Sequence, residues 1–365
     1  MTDDPAVQPT EESQARPFSP NDALPTVEPP SATFLLQLFL IPLLIVSMIV
    51  MVWMLFSWLA QAGNDPREMV LEIQAGKGDR WQKAVTLANM LKHENAQSIE
   101  LRRDAAFARK IGEILHNELK IPLSDAKANA EALKVRYYLC RTLGQMETPE
   151  VIPPLLEAAT LERHPVEATI RLGALEALAV LAKKLGAEKF LAEGKTLPVL
   201  LECSRAQDLE SAPAEQDQPD FRPHGELRGA AAFTLGIVGG TEALERLAVL
   251  LEDTYPSVRY NAATGLARAG DERAVEVLLE MLDPANRLAA VDERSSADQA
   301  NRRFEVLKNG ISATLLLVEK SPQTNRARLL AALKNLSGDA LAFLPQPQAR
   351  EKIRLDAKDS LKRRE

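Results

Sequence analysis

The chain has 365 residues, 46 % of them apolar and 5 % aromatic, with a net charge of −7. That length suits two ordinary domains or one long repeat array, and the acidic balance excludes a protein built to hold nucleic acid, which needs a large positive excess. Alanine and leucine dominate, and runs of β-branched residues bounded by turns are nearly absent, which predicts an all-α fold of closely packed helices.

Residues 1–33 carry six acids (Asp3, Asp4, Glu11, Glu12, Asp22 and Glu28) against one base, Arg16, among many prolines and serines. Such a segment lacks the apolar content to offset ordering entropy, so it reads as a disordered acidic tail.

Residues 34–60 follow as an apolar run, with no charged residue between Glu28 and Asp65. Twenty-six helical residues from Phe34 to Leu59 span about 39 Å, enough to cross a hydrocarbon core of about 30 Å with some tilt. Trp53 and Trp58 stand toward its end, where indoles prefer the interface. Ala60-Gln61-Ala62 has the form of a signal-peptide cleavage site. The leader is acidic rather than basic, however, and the apolar core is too long for a signal peptide, so a retained single-pass anchor is expected. Arg67, Lys77 and Arg80 just beyond it, against Arg16 before it, place the following part in the cytoplasm by the positive-inside rule.

From Asp65 to Arg364 the chain repeats itself. KVRYYLCRTLGQMETPEVIPPLLEAA (134–159) aligns without a gap on SVRYNAATGLARAGDERAVEVLLEML (257–282). Val135, Arg136, Tyr137, Leu143, Leu155, Leu156 and Glu157 match Val258, Arg259, Tyr260, Leu266, Leu278, Leu279 and Glu280. Further copies place Arg171 in TIRLGALEALAVL and Arg228 in ELRGAAAFTLG; Arg303 marks a degenerate copy, and Arg80 and Arg354 mark two at the ends. Arg136 and Arg171 lie 35 residues apart, Arg228 and Arg259 lie 31 apart, and a period of this size built from two helices predicts an α-solenoid. About seven helix pairs fit between Asp65 and Lys362. Asp65-Pro66-Arg67-Glu68 has the form of a helix start, and Val258, Ala262 and Leu266 recur at four-residue spacing as one buried stripe.

LLEDTYPSVRYNAATGLARAG, with Asp253, Pro256, Val258, Arg259 and Leu266, resembles the HEAT repeat, in the HEAT-like form also found in phycobilisome lyases. The likeness is clearest over 134–283 and fades on both sides. It implies that Asp253 and the arginines Arg136, Arg171, Arg228 and Arg259 form a structural ladder between neighbouring repeats. It also implies that the second helix of each pair lines a concave face. On those helices Tyr137, Arg141, Tyr260, Thr264 and Arg268 recur on one side, and Tyr and Arg are common interface anchors, so these five are the candidate partner-binding residues. Two loop insertions, 206–226 and 284–301, each fall between the first and second helix of a pair.

Little in the sequence points to chemistry. Of His93, His116, His164 and His224 only His93 precedes a glutamate, which cannot supply a di-iron site. Gly194-Lys195-Thr196 lacks the glycine five residues earlier that a phosphate loop needs. Cys140 and Cys203 stand far apart inside apolar patterns, as buried free thiols do. No GxSxG, HExxH or CxxC occurs, and no catalytic residue, cofactor or metal is assigned. The basic C-terminal helix reads as the solvated cap of a repeat stack. The expected function is a membrane-tethered scaffold for a protein partner of unknown identity. The alternatives are a lyase-like or other enzyme subunit and a membrane-bound regulatory or sensor component.

Overall fold

The structure is a computed structural model that describes residues 31–362 except 62–64, 77, 124–128, 207–224, 292, 294, 321–324, 339–340, 342–343 and 345. Residues 1–30 of the acidic tail, Ala62 of the cleavage form and nearly all of the 206–226 insertion lie outside the described residues, while Ala32 and Thr33 already belong to the first helix. The chain divides into two units, Met1–Asn64 and Asp65–Glu365.

The first unit contains helix α1, Ala32–Gln61, with Pro42 inside it. From Phe34 to Phe56 its described large apolar side chains are 45–73 % exposed. The stretch Ala32–Phe56 is long and apolar enough to cross a membrane.

Among its described residues the second unit is an α-solenoid of seven helix pairs, with no strand. The pairs are α2 (Pro66–Gln74) with α3 (Arg80–Met90), then α5 (Ala105–Leu119) with α6 (Ala130–Gln145), following a short α4 (Ala96–Arg103). Next come α7 (Ile152–Ala159) with α8 (Ala168–Leu185) and, after a single-turn α9 (Ala187–Leu191), α10 (Thr196–Cys203) with α11 (Glu226–Val238). The last three are α12 (Thr241–Leu250) with α13 (Pro256–Ala269), α14 (Val275–Leu282) with α15 (Ser296–Lys320), and α16 (Arg326–Leu336) with α17 (Pro347–Lys362). The second helices stack in an unbroken row, α3, α6, α8, α11, α13, α15, α17, each on the next. The first helices form the other layer.

Small residues let the row close. Gly236 on α11 faces Gly265 on α13 so closely that a Cβ on Gly236 would lie 2.5 Å from the Gly265 Cα. At the α6–α8 crossing, Gly144 meets Ala177 in the same way, at 2.8 Å. Val258, Ala262 and Leu266 are all fully buried, as their spacing predicts. One apolar core runs through the stack from Val70 to Leu329, and a smaller one, from Leu282 to Ala357, closes the C-terminal end.

Side-chain caps start several helices. Asp65 accepts a hydrogen bond from the Arg67 amide, and Asp104 accepts from Ala106 and Phe107 at the start of α5. The 284–301 insertion is shorter than its sequence suggests, because α15 begins at Ser296. Ser295 Oγ accepts from the Asp298 amide at 3.0 Å, so Ser295-x-x-Asp298 is a cap lying inside the span read as loop. A 3₁₀ turn at Leu288–Ala290 adds local order.

Candidate functional site: the row of second helices

An arginine near the start of the second helix recurs in the pairs and reaches back to its own partner helix. Arg80 Nε donates to Ile73 O (2.9 Å), Arg136 Nη2 to Ile121 O (2.8 Å) and Arg171 Nε to Ala159 O (3.0 Å). Arg228 Nη1 donates to Ala206 O (3.1 Å), Arg259 Nη1 to Asp253 O (3.0 Å) and Arg354 Nε to Gly338 O (2.9 Å). Each acceptor lies in the last turn of the first helix or just past it. The last four carbonyls of a helix have no intrahelical partner and form the negative end of its dipole, so a guanidinium is stabilised there.

Carboxylates then link pair to pair. Arg80 pairs with Glu118 on α5, Arg228 with Asp253, and Arg259 with Glu280 on α14 (2.7 Å). Asp253 and Arg259, six residues apart, do not pair side chain to side chain: Arg259 takes the Asp253 carbonyl, while the Asp253 carboxylate binds Arg228 of the preceding pair. Arg171 pairs with Glu162 from the turn before its own helix. Arg136 is 1 % exposed, burial pulls its pKa down, and its Nε and Nη1 bond to nothing among the described residues. Among the described residues the arginines thus meet carbonyls at six positions, and carboxylates link one pair to the next at Arg80, Arg228 and Arg259.

The five candidate partner-binding residues do not form one exposed stripe. Tyr260 is buried, and its hydroxyl donates to Glu280 Oε1 and accepts from Asn286 Nδ2, both at 2.8 Å. Burial pushes the phenol pKa up, so it stays a donor. Thr264 bonds to the Tyr260 carbonyl four residues back in its own helix. Arg268 is half-buried and donates to Gly236 O at the end of α11 (2.6 Å). Tyr137 is half-buried, its ring lies against Gly173, and the Arg141 guanidinium stands 5.8 Å from the ring centre. Four-residue spacing correctly puts Tyr260, Thr264 and Arg268 on one side of α13. That side turns out to be occupied by neighbours, so Tyr260 is part of the frame rather than an exposed anchor.

The open surface lies elsewhere on the same row. A groove of about 470 Å³ crosses α8, α11 and the first turn of α13. Its floor is low because α11 presents Gly229 and Ala230 there, between Leu172 and Ala179 on α8 and the Leu288–Ala290 turn. Phe233 lines it under the Lys183 ammonium, which stands 4.7 Å from the ring centre. No sequence pattern marked the groove, because it depends on small residues of one helix lying between taller residues of another helix and a loop. Among the described residues, no group of three or more His, Cys, Asp or Glu could hold a metal ion.

The comparisons agree with this architecture. Residues 221–292 match the family described as HEAT repeats, and residues 135–160 match the PBS lyase HEAT-like repeat. No curated protein matches the chain. A crystal structure of importin beta is similar over 80 % of this chain, with a TM-score of 0.52 at 14 % identity. The chain spans 37 % of the length of that protein, and at this identity the likeness is one of fold. Two stretches of the chain are thus similar to HEAT repeats, and the repeat unit as a whole has the fold of an α-solenoid.

Proposed function

We propose that this protein is a non-catalytic scaffold, held at a membrane by the segment from Phe34 to Leu59, that binds a partner protein on its row of second helices. The observation that carries the reading is the groove over α11, an apolar hollow left open on a solenoid whose helices otherwise close tightly on one another. The uncovered apolar surface of α1 supports the tether. Tethering a binding surface raises its effective concentration for partners at the same membrane. The excess of Arg67, Lys77 and Arg80 over Arg16 supports a cytoplasmic solenoid.

Two experiments test this. The full chain should stay in the membrane pellet through an alkaline wash, with a C-terminal tag protected in intact cells and digestible after lysis. Release as a shortened soluble product would end the tether reading. A photo-crosslinking residue at Phe233, in native membranes, should give one discrete protein adduct. Adducts neither there nor at Val249, exposed on α12 in the other layer, would end the scaffold reading.

A further inference from the structure

The far wall of the groove is hydrogen-bonded to α13 and α14 through the Asn286 side chain. Its Nδ2 donates to the Tyr260 hydroxyl (2.8 Å) and to the Glu280 carbonyl (3.0 Å). Its Oδ1 accepts from the amides of Leu288 (3.0 Å) and Ala289 (3.3 Å), which shapes the 3₁₀ turn. The turn sinks Ala289 and Ala290 and leaves Leu288 and Val291 52 % and 60 % exposed. Leu288 lines the groove, and Val291 follows directly after the turn. The opposite wall runs along α8 from Leu172 to Lys183, about 16 Å at 1.5 Å per residue.

Resting on the scaffold reading above, we propose that this groove takes a short segment of a partner protein bearing bulky apolar side chains, and that Tyr260, buried on α13, positions the receiving wall through Asn286. The volume falls in the range of roughly 300–1,000 Å³ typical of clefts that bury a whole small ligand, more than one side chain needs. The charges around it select a peptide over a polyanion. Lys183 and Arg302 line the groove and form no ion pair among the described residues, but Glu176, Glu226 and Glu293 line it too. Nucleic acid and anionic membrane surfaces bind to fields of a single positive sign, whereas mixed signs around an apolar floor suit a peptide of mixed charge. A second copy of this chain is a poor occupant. Among the described residues of the repeat unit, the other exposed large apolar side chains are scattered over different elements: Leu71 on α2, Ile121 just after α5, Val249 on α12 and Leu355 on α17.

The test uses the full chain in lipid nanodiscs, with empty nanodiscs as the control. Two fluorescent peptides share a serine-glycine background with one lysine and one glutamate; one has two central leucines, the other two alanines. Anisotropy should show the leucine peptide binding at least about tenfold more tightly, since the difference is buried apolar area. That binding should persist at high salt. Tyr260→Phe keeps the ring but removes the hydroxyl, and should weaken leucine-peptide binding about three- to tenfold, the effect of one hydrogen bond. Asn286→Ala should do the same, and the double variant should bind no worse than Asn286→Ala alone, because both act through one contact. Gly229→Ala should also weaken binding while the fold persists: the added Cβ meets nothing closer than Asn261 Nδ2 at 3.5 Å. Equal binding of the two peptides, or binding of a single-stranded oligonucleotide or of anionic vesicles in their place, would overturn the occupant. Unchanged binding by Tyr260→Phe, or additive losses in the double variant, would overturn the positioning role. Failure of the occupant, with a crosslink still formed at Phe233, leaves the scaffold reading standing and removes only the apolar peptide; failure of the positioning role removes only the part given to Tyr260 and Asn286.

Discussion

Asp253 accepts two parallel hydrogen bonds from Arg228, at 2.8 and 3.1 Å, across the boundary between two helix pairs. Its Oδ1 also accepts from the Tyr255 amide at 2.9 Å, which fixes the turn into α13. Both side chains are largely buried, at 12 % and 10 % exposure. Asp253→Ala removes both carboxylate bonds from a largely buried guanidinium, and should cost about 2–4 kcal/mol in denaturant unfolding. Replacing both residues by leucine should cost less than Asp253→Ala alone, because no buried charge then remains unpaired. A double variant that loses as much as the two single changes together would show that the pair is not coupled.

Gly236→Ala should destabilise the solenoid even though alanine is the better helix former. The propensity gain is about 1 kcal/mol. Against it, the new Cβ would stand 2.5 Å from the Gly265 Cα, a backbone atom that can yield only if the two helices move apart. Overpacking of that kind costs about 1–3 kcal/mol, and a backbone obstacle belongs at the upper end. A lowered thermal midpoint is the expected result, with Gly229→Ala, which meets no such obstacle, as the comparison.

Acid should loosen the N-terminal pairs through Asp104. Its carboxylate caps α5 and binds Arg67, and the Phe107 amide, followed by Arg67, holds its pKa below the ordinary 3.8. A depressed carboxylate contributes stability that is fully present above its unfolded pKa and is lost as pH falls through the folded one. The contribution should therefore be constant at neutral pH and fade below about pH 4. Asp104→Ala should cost about 1 kcal/mol at pH 7 and progressively less toward pH 3. Thermal midpoints of both proteins across that range would show the two curves converging; a constant gap would contradict the assignment.

Both thiols should be silent in the native state. Cys140 and Cys203 are 0 % and 2 % exposed, and burial pushes both pKa values up, so neither access nor thiolate is available. A thiol-reactive chromogenic reagent should label neither until denaturant opens the stack. Rapid labelling of Cys203 without denaturant would mean that the α10 region opens locally.

Much of the fold was legible in the sequence because helical pairs obey a short-range rule. Residues four apart share a face, so Val258, Ala262 and Leu266 announce a buried stripe, and arginines recurring at 31 and 35 residues announce stacked pairs. The cap at Ser295 was equally local and was simply hidden inside a polar stretch. The candidate site was less legible. Spacing puts Tyr260, Thr264 and Arg268 on one side of α13 but cannot say what packs against that side.

The sequence alone therefore determined the helical class, the pairing of helices, the recurrence of a framing arginine and the presence of an apolar run long enough to cross a membrane. Each of these follows from propensity, periodicity or length within a few turns of chain. Only the tertiary structure decided that Arg228, and not Arg259, receives the Asp253 carboxylate, that Tyr260 points inward to Asn286, and that Gly229 and Ala230 floor a groove. Those outcomes depend on how far one helix is set back from the next and on which loop folds over it. Contacts between residues more than twenty positions apart set both, and no local pattern records them.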